Sequence, residues 1–336
     1  MIPKISIIIA TYNNGDTLVR CLDSICRQTF SDFEVIVVND GSKDDTASIL
    51  IDYAVKDNRV KFINQTQNIG QGKSRNLGLD AAKGEYVGFV DSDDTTQENM
   101  FEELYKGITE NDATIAQCNI NIVNLDGTMG TADFLSFEDE VVDIKRDIGY
   151  YFEHYLQYSK QSYEICNKLI KRDFLIKNKI YFLENSKIYA EDLLFNLDVA
   201  LYAERIVFIN KSLYNYYNNP KGHSKFIDLD KLEKFCNLFE EFEKHANKIK
   251  QYELIKYGIA KNAILIIMFI ATQTLYIKGG KKKVKEILKR ADMKKYLHYS
   301  LKGSQKFKSK LLIWSLLYLP YSLKFQLMKW HYSWKH

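Results

Sequence analysis

Residues 85–94 read EYVGFVDSDD, a short apolar run that ends in the three aspartates Asp91, Asp93 and Asp94. The run is typical of a buried β-strand, because its apolar residues follow one another without the alternation of a half-exposed strand. Carboxylates this close together repel one another unless a positive charge lies between them. The stretch therefore predicts a strand of a central sheet whose carboxyl end carries a charged site.

The residues before this strand alternate between strand and helix patterns. Further buried strands are predicted in KISIIIA, FEVIVVND and VKFIN, and helices are predicted in 15–28, 42–55 and 72–84. Strands separated by helices indicate a doubly wound, mostly parallel α/β sheet flanked by helices. In such sheets ligands bind at the carboxyl ends of the strands. Four polar residues that follow predicted strands are candidates for that site: Asn13, Asp40, Asn68 and Asp91.

The Asp-x-Asp pair at 91 and 93 suits a hard divalent cation. Mg²⁺ and Mn²⁺ prefer oxygen ligands, and Mg²⁺ usually takes one or two carboxylates together with substrate phosphates. A simpler interpretation is an Asp-rich turn, or the cap of a helix that begins near residue 96. Two nucleotide-binding motifs fit poorly. QNIGQGKS has Gln67 where a P-loop needs glycine, and no GxGxxG follows the first strand.

Charge is unevenly distributed along the 336 residues. The whole chain carries a net charge of +4, but residues 278–336 hold 16 Lys and Arg against two acids, so the remainder is acidic. This asymmetry predicts a polyanionic partner for the C-terminal region. Five cysteines without CxxC spacing predict reduced thiols in a cytosolic protein, and the first apolar run is too short for a signal peptide.

From about residue 228 the pattern is mainly helical and basic. The apolar run 263–271 is shorter than the roughly 20 residues that span a bilayer and predicts a buried helix. KKKVKEILKRADMKKY predicts a basic helix, and the Leu- and Trp-rich stretch 311–319 ends at Pro320, which breaks or kinks a helix. Basic residues beside Trp and Leu favour peripheral attachment to an anionic membrane surface. A helical segment for homo-oligomerisation is the alternative, and the absence of any nucleic-acid-binding motif argues against nucleic acid.

Several segments together resemble family 2 glycosyltransferases with the GT-A fold: ISIIIATYNN, VIVVNDGSKDDT, NIGQGKSRNLGLDAAKGEYVGFVDSDD and IYAEDLLFN. The resemblance covers roughly residues 3–225. It departs from the family at Ala10-Thr11, where a proline often precedes the Tyr-Asn pair. It implies a glycosyltransferase domain at 1–227, with a nucleotide-binding half at 1–98 and an acceptor half at 99–227. Residues 228–336 are then a helical, basic C-terminal region.

The resemblance also implies roles for the nucleotide-sugar site. Asp40 would accept a hydrogen bond from a uracil ring nitrogen, and Asp91 would face the ribose or uracil. Arg75 would line the same site, although a surface helix arginine is the alternative. The complete set of expected nucleotide-sugar ligands is Thr11, Tyr12, Asn13, Asp40, Arg75, Asp91 and Ser92.

Metal, base and acceptor roles are implied in the same way. Asp93 would bind Mn²⁺ or Mg²⁺ on the diphosphate, and Asp192 would be the catalytic base unless it only favours a helix N-terminus. His223 lies in a loop with Asn-Pro and Gly and is expected as a further metal ligand or an exposed side chain. Glu191 and Lys168 are expected to support the acceptor, with a solvated helix lysine as the alternative for Lys168.

These residue types suit the transfer of a sugar from a nucleotide. A metal ion neutralises the charge that grows on a departing diphosphate, and a carboxylate takes the proton of a weakly nucleophilic hydroxyl. Direct displacement predicts inversion. We expect a UDP-sugar donor and a cell-surface glycan or lipid-linked oligosaccharide acceptor, at the inner face of a bacterial membrane. A sugar nucleotidyltransferase and a non-catalytic scaffold or glycan-binding subunit are the alternatives.

Overall fold

The structure is a computed structural model. It describes residues 2–131, 138–156, 163–183, 188–218, 228–303 and 307–333. Its strands are β1 (Ile5–Thr11), β2 (Phe33–Asn39), β3 (Val60–Asn64), β4 (Tyr86–Phe89), β5 (Thr95–Thr96), β6 (Ile115–Val123), β7 (Met129–Thr131), β8 (Glu140–Asp143), β9 (Lys168–Lys171) and β10 (Arg205–Tyr217). Its helices are α1 (Gly15–Cys26), α2 (Thr46–Lys56), α3 (Gln71–Ala81), α4 (Met100–Glu110), α5 (Ile148–His154), α6 (Arg172–Asn178), α7 (Glu191–Tyr202), α8 (Leu229–Lys248), α9 (Tyr252–Thr274), α10 (Gly280–Lys289), α11 (Ala291–Gly303), α12 (Phe307–Tyr318) and α13 (Tyr321–Ser333).

The described residues group into two compact units. The first lies within Met1–Arg146, Ser162–Asn185 and Glu191–Asn219, and we call it the sheet unit. The second lies within Asp147–Gln161, Ser186–Ala190 and Pro220–His336, and we call it the helical unit.

The sheet unit is built on one mixed sheet with the order β3-β2-β1-β4-β9-β6-β10-β5, to which β7 and β8 add at β6 and β10. Strands β1 to β4 pair in parallel. All seven residues of β1 and of β2 are buried, as their unbroken apolar runs predict. Strand β9 enters between β4 and β6 and is antiparallel to both. The predicted α/β class is thus confirmed, with a mixed second half.

The order of the sheet brings three strand ends together. Because β1 pairs in parallel with both β2 and β4, the residues that follow Thr11, Asn39 and Phe89 lie at one edge. One sequence prediction near this edge was wrong in detail. The helix expected near residue 96 begins at Met100, after the short strand β5.

The helical unit corrects two predictions. The apolar run 263–271 is the middle of α9, a helix of 23 residues that is long and apolar enough to cross a membrane, although over half of its apolar window is buried within the protein. The single basic helix is two helices, α10 and α11, that break at Arg290. The expected break at Pro320 is confirmed, since α12 ends at Tyr318 and α13 begins at Tyr321.

Candidate functional site

Three predicted residues lie at the end of β1. The hydroxyl of Thr11 is buried and has no hydrogen-bond partner among the described residues. Tyr12 is 44% exposed. Asn13 has a positive φ of 52°, and its amide oxygen accepts a hydrogen bond from Lys43 N at 2.8 Å, which ties the loop after β1 to the loop after β2. The edge therefore holds one unsatisfied hydroxyl beside an exposed aromatic ring.

Asp40 is buried and holds the start of α3. Its two carboxylate oxygens accept hydrogen bonds from Ile69 N at 2.8 Å and Gly70 N at 3.0 Å. Gly70 has φ of +96°, a conformation that favours glycine and turns the chain into the helix. Asn68 also accepts from Gly70 N, at 3.1 Å. Asp40 thus fixes the loop that precedes α3. A hydrogen bond from a nucleotide base would have to use the second lone pair of one of its carboxylate oxygens.

The Arg-Asn-x-Gly segment of α3 has a separate task for each of its named residues. Arg75 points to the strand end, as described below. Asn76 accepts from Phe182 N at 2.9 Å and donates to Phe182 O at 2.8 Å. Gly78 packs so closely on β1 that a Cβ there would lie 2.4 Å from a methyl carbon of Ile8. Gly78 thus lets α3 approach the sheet, and Asn76 fixes the backbone at Phe182 against α3.

Arg75 joins the end of β4 to the start of α7. Its guanidinium lies 2.8 Å from the carboxylate of Asp91 and 2.5 Å from that of Asp192, and Glu191 lies 4.0 Å away. The arginine is buried, so the alternative of a surface helix arginine is wrong. Two residues that are 101 positions apart in the sequence, Asp91 and Asp192, therefore share one cation.

One guanidinium cannot neutralise three carboxylates. Burial raises the pKa of Asp192 to about 7; the charge of Arg75 lowers it, and those of Glu191 and Asp91 raise it again. Burial opposes the positive charge of Arg75, but the three acids outweigh burial and raise its pKa. Asp192 is the second residue of α7, so its position also fits the alternative role of an acid that stabilises a helix N-terminus. A carboxyl with a pKa near neutrality can accept and release a proton at physiological pH.

The aspartates of DSDD are not equivalent. Asp94 is buried and accepts from Tyr214 OH at 2.7 Å and Tyr217 N at 2.8 Å, so it ties the loop to β10. Asp93 keeps its carboxylate for other partners, and burial followed by the charge of Asp91 raises its pKa. Asp94, which has no predicted role of its own, is therefore a structural acceptor of the loop.

The rest of the DSDD loop is held from α1. Ser92 is buried and its hydroxyl accepts from Asn14 Nδ2 at 2.6 Å. The guanidinium of Arg20 donates to the backbone carbonyl of Asp93 and stacks on the ring of Tyr217 at 3.8 Å. These contacts fix the backbone of the loop. The carboxylate of Asp93 and the oxygen of Asp91 that Arg75 does not contact are then available to a ligand.

The described residues contain no group of three or more His, Cys, Asp or Glu side chains that could hold a metal ion. Asp91 and Asp93 nevertheless suit Mg²⁺ or Mn²⁺ that brings further ligands from a diphosphate, since Mg²⁺ needs only one or two carboxylates in such sites. A cation would also relieve the repulsion that raises the pKa of Asp93. His223 lies outside the described residues.

Lys168 lies in strand β9 and is 1% exposed, so the alternative of a solvated helix lysine is wrong. Its ammonium donates to the carbonyl of Glu164 at 2.5 Å and to Asn167 Oδ1 at 3.1 Å. Burial lowers its pKa to about 8. Sequence reasoning missed Asn196, which lies one turn after Asp192 and donates to the carbonyls of Tyr163 at 2.7 Å and Asp192 at 3.0 Å. Its position four residues after a candidate base was the available signal.

A family profile decides the affiliation of this chain. The profile described as "Glycosyl transferase family 2" matches residues 6–177, just over half of the chain. The chain belongs to glycosyltransferase family 2. The matched residues of this family 2 glycosyltransferase include the Arg75 helix and the DSDD loop, whereas Asp192 lies beyond the match.

The relatives agree with this affiliation. The "uncharacterized glycosyltransferase EpsJ" of Bacillus subtilis is 34% identical over 222 residues, which are 66% of this chain and 63% of EpsJ, so over a third of EpsJ lies outside the match. Residues 1–349 of Staphylococcus aureus TarS, solved in complex with UDP-GlcNAc, share the fold with a TM-score of 0.74 at 22% identity, over 99% of this chain and 92% of that one. The mannosyltransferase PcManGT of Pyrobaculum calidifontis, solved with GDP-Man and Mn²⁺, has a TM-score of 0.53 at 15% identity, over 97% and 84% of the two chains. The last two likenesses concern the fold of this family 2 glycosyltransferase.

Proposed function

We propose that this protein is an inverting, metal-dependent glycosyltransferase that moves a sugar from a UDP-sugar to a hydroxyl of a surface glycan or lipid-linked oligosaccharide. The observation that carries the proposal is the pair of ion contacts from Arg75 to Asp91 and Asp192. They link a carboxylate at the nucleotide edge of the sheet to a carboxyl whose pKa is about 7. A donor site and a proton acceptor are therefore neighbours.

The base is Asp192. At neutral pH a carboxyl with a pKa of about 7 is ionised in a large fraction of molecules and is basic enough to take the proton of an attacking hydroxyl. It lies across Arg75 from the DSDD loop, so the hydroxyl and the departing diphosphate meet the sugar from different sides. Displacement from the opposite side inverts the anomeric configuration. Glu191 and Lys168 support the acceptor beside it.

Asp93 and Asp91 would hold a divalent cation together with donor phosphates, and His223 would be a further ligand. When bound, the ion supplies positive charge to the departing diphosphate. The described protein ligands number fewer than three, which favours an ion that binds together with the nucleotide. The Mn²⁺ bound by the mannosyltransferase PcManGT supports the same chemistry.

The nucleotide lies at the ends of β1, β2 and β4. The unpartnered hydroxyl of Thr11 and the exposed ring of Tyr12 are suited to a base or ribose. Asp40, Asn13 and Ser92 contribute to this site through the loops they fix and their remaining hydrogen-bond capacity. The UDP-GlcNAc that TarS binds supports UDP as the nucleotide of the donor.

The protein acts at the cytoplasmic face of a bacterial membrane, where lipid-linked acceptors are presented, and homo-oligomers are compatible with this location. The bacterial origin of EpsJ and the basic C-terminal region support it. A non-catalytic scaffold is the second candidate. It would bind the donor but release no UDP, because it lacks only the chemical step.

The proposal is tested by calorimetric titration of UDP with and without Mn²⁺. Wild-type protein should bind UDP more tightly with the ion, and Asp93→Ala should lose that gain while its melting temperature stays unchanged. Asp173→Ala, at an exposed aspartate of α6, is the matched control and should behave as wild type. Equal Mn²⁺ dependence in Asp93→Ala and wild type would refute the metal assignment, and UDP binding without UDP release from any UDP-sugar would favour the scaffold.

A further inference from the structure

Two groups of positive charges in the helical unit differ in their partners. The first group is neutralised inside the unit by three glutamates of α8: Lys283 pairs with Glu233, Arg290 with Glu240, and Lys295 with Glu243. These ion pairs attach α10 and α11 to α8. The charge of the C-terminal region is therefore only partly available to a partner, which the sequence count did not reveal.

The second group is the outer face of α10. Val284, Ile287 and Leu288 are buried, so the opposite side of this ten-residue helix faces solvent. Four lysines lie on that side, all exposed and none with an acidic partner among the described residues: Lys281, Lys282, Lys285 and Lys289. We call these four residues the lysine face. Four ammonium groups on one short helix make a concentrated site for negative charge.

Helix α12 exposes an apolar stripe. Leu311, Trp314 and Tyr318 are 56%, 45% and 59% exposed, and their spacing of three and four residues places them on one side of the helix. Ile313 and Leu316 are buried on the other side. Large exposed side chains in a row are unusual on a protein that meets only water. Trp and Tyr are enriched where a protein meets the headgroup region of a bilayer.

The stripe and the lysine face adjoin within the helical unit. Tyr318 ends α12, and Tyr321 begins α13 three residues later. The ring of Tyr321 lies 5.2 Å from the ammonium of Lys285 and 4.9 Å from that of Lys324. The exposed aromatic end of α12 is thus followed directly by a tyrosine in contact with the lysine face.

We propose that the lysine face of α10 and the stripe of α12 together form a docking surface for an anionic lipid bilayer. Lysines attract the acidic headgroups, and the Leu, Trp and Tyr side chains enter the headgroup boundary, the combination that interfacial helices use. The inference rests on the membrane location in the proposed function and adds which residues make the contact. It differs from a nucleic-acid site, which would not need the apolar stripe, and from a dimer face, which would not need four unpaired positive charges.

The test is flotation of the full-length protein with phosphatidylcholine vesicles that contain or lack phosphatidylglycerol. Wild-type protein should float with the anionic vesicles at low salt and lose this binding as salt is added. Each lysine near an anionic surface contributes about five-fold to the partition coefficient, so K281Q/K282Q/K285Q/K289Q should lower it by at least about 100-fold. L311S/W314S/Y318S should lower the partition coefficient at low salt and leave its salt dependence unchanged, because it removes the apolar contribution and no charge.

Matched controls lie on other exposed helices. K56Q/K106Q/K177Q/K248Q removes the same charge from elsewhere, and I51S/V55S removes exposed apolar side chains from α2. Both should bind as wild type. Equal losses in the control and lysine-face variants would overturn the proposal, as would unchanged binding in the lysine-face and stripe variants.

Two further results separate this proposal from the enzymatic one. If wild-type protein does not float with anionic vesicles, both the docking surface and the membrane location are wrong, while UDP release still tests the enzyme. If the stripe variant instead abolishes a dimer seen by sedimentation and wild type ignores vesicles, the occupant is a second copy and the lipid proposal is overturned.

Discussion

The sheet unit and the helical unit use charge in opposite ways. In the sheet unit, one buried arginine serves three acids, and a carboxyl is left with a pKa of about 7. In the helical unit, three glutamates of α8 each meet a cation of α10, α11 or the residue between them, at positions that keep partial contact with water. A buried cation shared by several acids shifts their pKa values and is suited to chemistry. One-to-one ion pairs in contact with water mainly orient helices.

The difference has an energetic basis. Removing one member of a buried ion network leaves an uncompensated charge away from water, which is costly. Removing one member of a solvated pair leaves a charge that water can screen. Substitutions of each kind therefore test whether the two units differ as described.

Asp192→Asn gives the largest expected effect. Without a proton acceptor, UDP release from a UDP-sugar should fall by about 10² to 10⁴-fold, while UDP binding persists. Steady-state turnover measured beside calorimetric UDP binding checks both parts. Asp173→Asn, on the surface of α6, should keep full turnover, and normal turnover in Asp192→Asn would move the base to another residue.

Arg75→Gln tests the buried network through stability. It leaves Asp91, Glu191 and Asp192 without their shared cation. Because the side chains of Asp91 and Asp192 are 28% and 26% exposed and water screens them in part, we expect a loss of about 1.5–3 kcal/mol in the free energy of unfolding. Urea denaturation measures this loss. Arg75→Lys keeps the charge and should lose less, and a loss of under about 1 kcal/mol for Arg75→Gln would mean that the network behaves like a surface one.

The pH dependence of turnover sharpens the same contrast. Because the pKa of Asp192 is raised to about 7, the base is protonated and inactive below that pH, so turnover should rise with pH through about 7. Each pH unit below about 6 should cost about ten-fold in kcat. A rate profile at saturating donor measures it, and a flat profile from pH 5 to pH 8, taken as roughly the window for such a base, would contradict the assigned pKa.

Arg290→Gln should give the smallest effect. Arg290 contacts Glu240 at 2.7 Å and Asp292 at 3.0 Å but remains partly exposed, so its loss should cost no more than about 1 kcal/mol. Urea denaturation at low and high salt checks the size and the screening. Lys289→Gln, at the neighbouring exposed position, should cost nothing measurable, and a loss of several kcal/mol at Arg290 would erase the distinction between the units.

Much of the sheet unit was predictable from local patterns. The unbroken apolar runs predicted β1, β2 and β4, and the polar residues after them predicted the site edge, because the side-chain sequence of a buried parallel strand is distinctive. The position of Asp192 beside Arg75 was not predictable from spacing, since it depends on a contact between residues far apart in the chain. The resemblance supplied the roles, and the structure supplied the shared cation.

Two further environments depend on contacts that local patterns do not record. Asp94 is part of the predicted charge cluster without a role of its own, and tertiary contacts with Tyr214 and Tyr217 make it part of the scaffold. Lys168 was given a solvated helix as its alternative, but it occupies a buried strand. In both cases hydrogen bonds from distant residues decide the environment, and composition carries no record of them.

The late insertion of β9 has a consequence for biosynthesis. Strand β4 ends at Phe89, and its neighbour β9 begins only at Lys168. At a ribosomal rate of about 5–20 residues per second, β4 waits roughly 4–16 s for that partner to be made. During this interval the nascent chain presents an apolar strand with an open side, which is the kind of surface that chaperones recognise. Efficient production of this protein is therefore expected to depend on a holdase chaperone that covers β4 until β9 has been made.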